Sequence, residues 1–240
     1  MLQKIYKQIK KQIKNAAFQL TGRFSHLKIG IKCNHIWYGN DYGGFYVCPD
    51  LLNKESVVYS FGIGEDISFD KAIIDKHNCN VHGFDPTPKS IKWVSSQNQI
   101  PNFHFYAYGL DSKSGAVDFF MPFNDNHVSG SLVIQNNVSE QKKVIVEMKS
   151  LFDITNSLKH NHIDIVKMDI EGSEYEVLDS IFEANISINQ FLVEFHERFF
   201  ENGKEKSIQF INRMKKHGFE IFAISDSYEE LSFINKKFCS

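Results

Sequence analysis

The sequence has no apolar run approaching the roughly 18–20 residues that a membrane-crossing helix needs, and its N-terminus lacks an apolar stretch of signal-peptide type. Both absences make the cytoplasm the expected location. Its four cysteines, Cys33, Cys48, Cys79 and Cys239, lie far apart, with no CxxC pair and no metal-finger spacing. Reduced thiols are expected, rather than a zinc finger or a disulfide scaffold. The formal net charge is only −2, which gives no case for nucleic acid as a partner of the whole molecule. There is no internal repeat and no low-complexity segment. What remains is 240 residues, 42% hydrophobic and 14% aromatic, enough to bury one substantial core and form one domain.

Acidic residues are absent from the start of the chain until Asp41. Within residues 1–25, Ile5, Ile9, Ile13 and Ala16 or Ala17 recur at helical spacing, while Lys4, Lys7, Lys10, Lys11 and Lys14 fill the other positions. This predicts a basic amphipathic helix over Met1–Leu20. Two readings fit it: peripheral contact with an anionic membrane surface, or packing on the domain or on a partner chain, as in a homo-oligomer. Residues 26–56 read as a hairpin or flap. Its β-like runs, Ile29–Trp37 and Phe45–Val47, flank a Gly/Asn/Asp-rich loop. Tyr38 and Tyr42, set among glycines, suit the lining of a substrate site, and turn chemistry with aromatic cover explains them equally well.

From Val57 to the end, strands and helices alternate. Strands are predicted at Val57–Phe61, Asn80–Asp85, Phe103–Tyr108, Ile163–Asp169, Phe191–Phe195, Phe219–Ser225 and Leu231–Asn235. Helices are predicted over Ile67–His77, Pro88–Gln97, Leu151–Leu158, the segment after Glu174, and Lys204–His217. This order specifies a doubly wound α/β sheet, mostly parallel, with helices on both faces. A hairpin inserted at about residues 115–148 carries a polar loop in which His127, Ser129 and Ser131 are candidates to touch cofactor or acceptor.

The first of these strands runs into Gly62-Ile63-Gly64-Glu65-Asp66. Strand, glycine turn and helix in succession bring backbone close to a nucleotide-like ligand. Asp85 ends the next strand, where a carboxylate can accept hydrogen bonds from both hydroxyls of a ribose. Glu65 and Asp66 would repel a pyrophosphate, so the turn favours a cofactor without phosphates. S-adenosylmethionine (SAM), which carries a sulfonium cation, fits. The turn at Gly109-Leu110, after the third strand, completes the expected cofactor site with Gly62, Gly64, Glu65, Asp66 and Asp85.

At the fourth strand end, period-two alternation puts Lys167 and Asp169 on one side. Charges are expensive in a buried parallel strand, and pairing with each other or with a ligand offsets that. Glu171 and Glu174 open the following helix, where the helix dipole favours carboxylates in any case. At the fifth strand end, Glu194 and His196 also share a side. His196 has the ordinary pKa of a general base for an acceptor hydroxyl. Asp169, Glu194 and His196 could instead hold a divalent metal ion, or the cluster could orient substrate, as Glu171 and Glu194 could. The base is preferred as the simpler device.

The string Asp164-Ile165-Val166-Lys167-Met168-Asp169-Ile170-Glu171-Gly172-Ser173-Glu174 resembles the signature of FkbM-type SAM-dependent methyltransferases. Gly83-Phe84-Asp85-Pro86-Thr87-Pro88 and Val193-Glu194-Phe195-His196 are similar to the second and fifth strand ends of the same family. The resemblance spans about Val57 to Asn235. It implies a class I methyltransferase (Rossmann-like) fold with strand order 3-2-1-4-5-7-6 and the last strand antiparallel. It also implies O-methylation, commonly of sugars in glycans, as in surface polysaccharide precursors, or of secondary metabolites. The family pattern places an acid two residues before the first glycine and often has a third glycine; here Ser60 and Asp66 stand at those positions. Glu65 or Asp66 is left to meet the SAM amino group. The alternatives are methylation of a small metabolite or a protein side chain, a nicotinamide-nucleotide dehydrogenase, and an inactive SAM- or glycan-binding protein.

Overall fold

The computed structural model describes residues 22–122 and 138–239. Of the segments singled out above, the basic helix and the loop bearing His127, Ser129 and Ser131 lie outside the described residues. No helix among those described is long and apolar enough to cross a membrane.

Two short strands, β1 (Ile36–Tyr38) and β2 (Phe45–Val47), pair antiparallel ahead of the main sheet. The expected long first run, Ile29–Trp37, is a strand only from Ile36. The amides of Gly30 and Ile31 are taken instead by the Ile221 carbonyl, at 2.8 and 3.3 Å. The hairpin is stapled to the sheet through a buried glutamine: Gln190 accepts from Cys48 N at 2.8 Å and donates to Cys48 O at 3.2 Å. Ser232 Oγ donates to Tyr46 O at 2.7 Å.

The main sheet has seven strands: β3 (Val57–Phe61), β4 (Asn80–Phe84), β5 (Phe103–Tyr106), β9 (His162–Met168), β10 (Ser187–Glu194), β11 (Phe219–Ile224) and β12 (Glu230–Asn235). Their spatial order is β11-β12-β10-β9-β3-β4-β5. Counted along the chain from β3, that is 3-2-1-4-5-7-6, as expected. Only β12 runs against its neighbours. The central strands are buried almost throughout because both of their faces are covered. On one side lie α3 (Leu151–Leu158), α4 (Glu174–Glu183) and α5 (Gly203–Lys216), which contribute Leu151, Leu178, Ile181 and Phe210 to the larger core cluster. On the other side α1 (Ser68–His77) supplies Phe69, Ile73 and Ile74 to a second cluster.

Local chemistry sets the helix ends. Thr87 caps α2 (Pro88–Ser96), accepting from Ser90 N, and Pro88 opens the helix, where a missing N–H costs nothing. Ser150 caps α3 in the same way through Asp153 N. A smaller sheet of β6 (Gly109–Leu110), β7 (Gly115–Pro122) and β8 (Val138–Lys149) holds the predicted inserted hairpin, with β7 antiparallel to β8. All four cysteines are free, and burial pushes the Cys33 thiol up to about 12. Cys33 is therefore a poor nucleophile.

His82 on β4 sits among Tyr59, His104, Tyr106 and His160. Burial, helped by the two neighbouring histidines, pushes it down to about 3. It therefore stays neutral in the fold while its unfolded counterpart protonates below about 6.5. The resulting stability is complete above pH 6.5 and is lost as pH falls from there towards 3, by at most about 1.4 kcal/mol per pH unit. Urea unfolding of wild type and His82→Phe at pH 7 and pH 5 should show the larger acid loss in wild type. Equal losses would remove His82 from the acid-sensitive set.

Candidate active site

At one edge of the sheet the ends of β3, β4 and β9 border a cavity of about 480 Å³. The glycine turn forms its floor. Gly62 N donates to Phe84 O at 3.0 Å and Asp169 N to Phe61 O at 3.1 Å, so the ends of β3, β4 and β9 are tied together. Gly62 has φ +81°, and a Cβ there would lie 1.7 Å from the Asp169 carbonyl oxygen. Nothing but glycine fits. Lys167, only 5% exposed, donates from Nζ to Gly62 O at 2.9 Å and closes the same junction.

Asp85 lines the cavity, but its carboxylate is already in use. Oδ2 accepts from Ile63 N and Gly64 N at 3.0 and 2.8 Å, and Oδ1 accepts from Thr87 N and Oγ1 at 2.8 and 2.6 Å. Two donors on each oxygen fill a carboxylate's usual capacity. Asp85 is therefore first the clamp of the glycine turn, and a ribose hydroxyl would have to displace one of these donors. Glu65 pairs with Lys89 at 3.3 Å. Asp66 accepts from Asn40 Nδ2, Ser68 N and Ser68 Oγ, which lays the loop after β1 against the turn. In that loop Tyr42 is 82% exposed and lines the cavity. Tyr38 is not on the wall: it is buried, with its hydroxyl 2.8 Å from His77 Nε2. Gly109 and Leu110 line the opposite wall, joined by Phe84, Phe119 and Met148.

Sequence reading missed Asp70. This carboxylate comes from the first turn of α1, is 2% exposed, lines the cavity, and has no hydrogen-bond partner at Oδ1. Burial raises its pKa, with Lys167 opposing. The Ser60 hydroxyl lies beside it and, like Lys167, opposes that rise. The signal was present: an acid among Phe69, Ile73 and Ile74 on the buried face of a helix is costly unless it has a task.

The string from Lys167 to Glu174 builds the remaining wall. Asp169 and Glu171 face the cavity. Glu171 and Gly172 take φ +56° and +97°. This turn is held by Glu174, whose oxygens accept from Ile170 N and Gly172 N, both at 2.9 Å. Burial raises the Asp169 pKa, opposed by Lys167 and His196. Glu194 stands behind the wall, its pKa raised by burial and by Asp169, with Arg198 at 3.5 Å.

His196 differs from the general base expected. It is fully buried and is not among the wall residues. Burial pulls its pKa down, but Glu174, Glu194 and Glu171 outweigh that and hold it up at about 10. A general base must lie within reach of the proton it takes, and His196 is buried off the cavity wall, behind Asp169 and Glu171. The expected metal set also changes: Asp169, Glu171 and His196, not Glu194, offer atoms within 4.8 Å of one another.

If the junction of β3 and β9 shapes the site, Gly62→Ala should lower the melting temperature by roughly 5 °C or more, from a strained φ plus the clash with Asp169. An unchanged melting temperature would show that the turn tolerates a Cβ and that this packing is not what sets it.

Comparison with known proteins accords with this geometry. A model of the methyltransferase FkbM domain matches residues 45–221. A human protein named "Probable methyltransferase-like protein 24" is 26% identical over 198 residues, covering 78% of this chain and 47% of its own length. Its rat counterpart is 24% identical over the same extent. The chain thus spans about half the length of these curated relatives. Among solved structures, an FkbM methyltransferase from Methylobacillus flagellatus aligns with TM-score 0.48 and 11% identity, over 76% of this chain and 44% of that one. A fibrillarin pre-rRNA processing protein from Methanococcus jannaschii aligns with TM-score 0.48 and 12% identity, over 76% and 67%. The domain match covers most of the sheet and every strand end around the cavity. On that match, the chain belongs to the FkbM methyltransferase family.

Proposed function

We propose that this chain transfers the methyl group of SAM to a hydroxyl, and that the acceptor is a sugar of a glycan or glycan precursor. The observation that carries the cofactor reading is the charge of the cavity. Its wall holds six carboxylates, Glu65, Asp66, Asp70, Asp85, Asp169 and Glu171, against a single lysine, Lys167, which is tied to Gly62 O. A dinucleotide pyrophosphate would meet repulsion there. A sulfonium and an ammonium would meet complementary charge. The adenosine would lie along Phe84, Pro86 and Leu110, and the amino-acid end would point to Ser60 and Asp70. Asp70 would then supply the acidic contact that the family pattern places at position 60.

The acceptor oxygen attacks the methyl carbon in line with the sulfur. The O–C bond forms, the S–C bond breaks, and the electron pair stays on sulfur, leaving a neutral thioether. The hydroxyl proton goes to Asp169, a carboxylate on the wall whose proton affinity burial has raised and which lies beside Glu171 on the acceptor side. Alignment of the two reactants supplies much of the rate, a proximity effect of up to roughly 7–11 kcal/mol. Two features support a sugar acceptor. Tyr42 offers an exposed aromatic face at the rim, suited to a sugar ring. The Asp169 and Glu171 carboxylates are strong acceptors for hydroxyl groups.

Calorimetry on the full chain should show SAM binding and no NAD binding. Asp70→Asn should weaken SAM roughly 10- to 100-fold, the range for losing a charged hydrogen-bond partner. NAD binding in place of SAM would overturn the cofactor reading, and unchanged SAM affinity would remove Asp70. Asp169→Asn should lower methyl transfer by about 10²–10⁴-fold while leaving SAM affinity within a few-fold. Full turnover in that variant would dismiss Asp169 as the base.

A further inference from the structure

One group in the protein is surrounded in a way that methyl transfer by proximity does not explain. The imidazole of His196 is fully buried, and its Nε2 has no partner at a hydrogen-bonding angle. Nε2 nevertheless faces three carboxylate oxygens: Glu171 Oε2 at 3.3 Å, Glu194 Oε1 at 3.5 Å and Asp169 Oδ1 at 3.8 Å. A proton on Nε2 would draw one of them to about 2.7–2.9 Å, the usual length of a charge-assisted hydrogen bond. None is that close.

These separations are instead those between neighbouring ligands of one small cation. Oxygen or nitrogen atoms about 2.1 Å from an ion lie roughly 3–4.2 Å from one another. We infer that Asp169, Glu171 and His196 form a site for a divalent cation of the magnesium or manganese class, opening on the acceptor side of the cavity. The two carboxylates suit such a hard ion. The three residues offer atoms all within 4.8 Å of one another. Glu194 borders the site but is shared with Arg198, at 3.5 Å.

The surroundings of His196 fit a ligand role. Its Nδ1 lies 3.1 Å from Glu174 Oε1. Glu174, in turn, is fixed by the amides of Ile170 and Gly172. A carboxylate behind the far ring nitrogen of a histidine is the usual device for orienting a metal ligand. Glu174 also holds the turn in which Glu171 takes φ +56°. The same residue therefore aims two of the three ligands. Phe199 stacks on the imidazole with ring centroids 5.0 Å apart, fixing its plane. The role of the ion rests on the methyl-transfer reading: bound there, it would take the acceptor oxygen as a further ligand and favour loss of its proton. A monodentate Asp169 keeps its second oxygen to receive that proton, so the two assignments agree.

The test uses full-length protein stripped with chelator and titrated with manganese chloride, followed by electron paramagnetic resonance of free Mn²⁺ and by calorimetry, in the absence of SAM. Wild type should bind one Mn²⁺ per chain. Glu171→Gln and Glu174→Gln should each weaken it by 10-fold or more, as loss of a ligand or of its orienting partner does, typically by about 10–100-fold. Glu176→Gln, on the outer face of α4 and paired with Lys206, should leave it unchanged. Glu171→Gln is the decisive variant, because it changes no volume and keeps the fold testable by its circular dichroism. Equal Mn²⁺ affinity in wild type and Glu171→Gln, or no binding by wild type up to 1 mM, would overturn the site; roughly 1 mM is a generous ceiling for a carboxylate-rich cation site. SAM affinity is measured in the same preparations. Site-dependent Mn²⁺ binding without SAM binding would uphold the cation site and reject the cofactor reading.

Discussion

The structure depends on one close approach, where β3 and β9 end side by side with no space between them for a Cβ. Gly62 lies against the carbonyl of Asp169, and Lys167 reaches across from β9 to the Gly62 carbonyl at the end of β3. A buried lysine is expensive. Here it is kept by a carbonyl partner and by the carboxylates Asp70 and Asp169, whose pKa values it opposes. The junction places the glycine turn and the Asp169 carboxylate a single residue's width apart, and these are the groups proposed to face cofactor and acceptor. Donor and acceptor of a methyl group must meet at that scale.

Around this junction the protein spends its carboxylates in two ways. Asp85 and Glu174 hold backbone: each accepts amides on both oxygens and fixes a turn with left-handed residues. Asp70 and Asp169 do not have their oxygens filled in this way, and both line the cavity. The distinction separates structural acids from candidate working acids better than exposure does, since Asp70 and Asp85 are both almost fully buried.

Much of this was legible in the sequence, for a physical reason. In an open parallel sheet an apolar run ends where the chain emerges, so Gly62, Asp85, Asp169 and Glu194 mark strand ends without any knowledge of the fold. Strand order followed from the family resemblance rather than from the pattern. The rest required three dimensions. Ile29–Cys33 alternates like a strand, but its amides found Ile221 instead of a hairpin partner. Tyr38 and Tyr42 look alike in sequence, and the hairpin turns one into the core and the other to the rim. His196 looks like a base in sequence because its ordinary pKa is legible in one residue, whereas its burial off the cavity wall and the four carboxylates packed around it, from two strand ends and a helix start, appear only in three dimensions.

The central claim is that the cavity over the glycine turn receives SAM with its amino-acid end at Asp70 and its methyl towards Asp169. The most direct measurement is a crystal structure with the product S-adenosylhomocysteine. The account predicts ligand density over Gly62 and Gly64, with the amino group at Asp70 Oδ1 and the sulfur on the side of Asp169. Density for the ligand outside this cavity, or with the amino group turned away from Asp70, would contradict it.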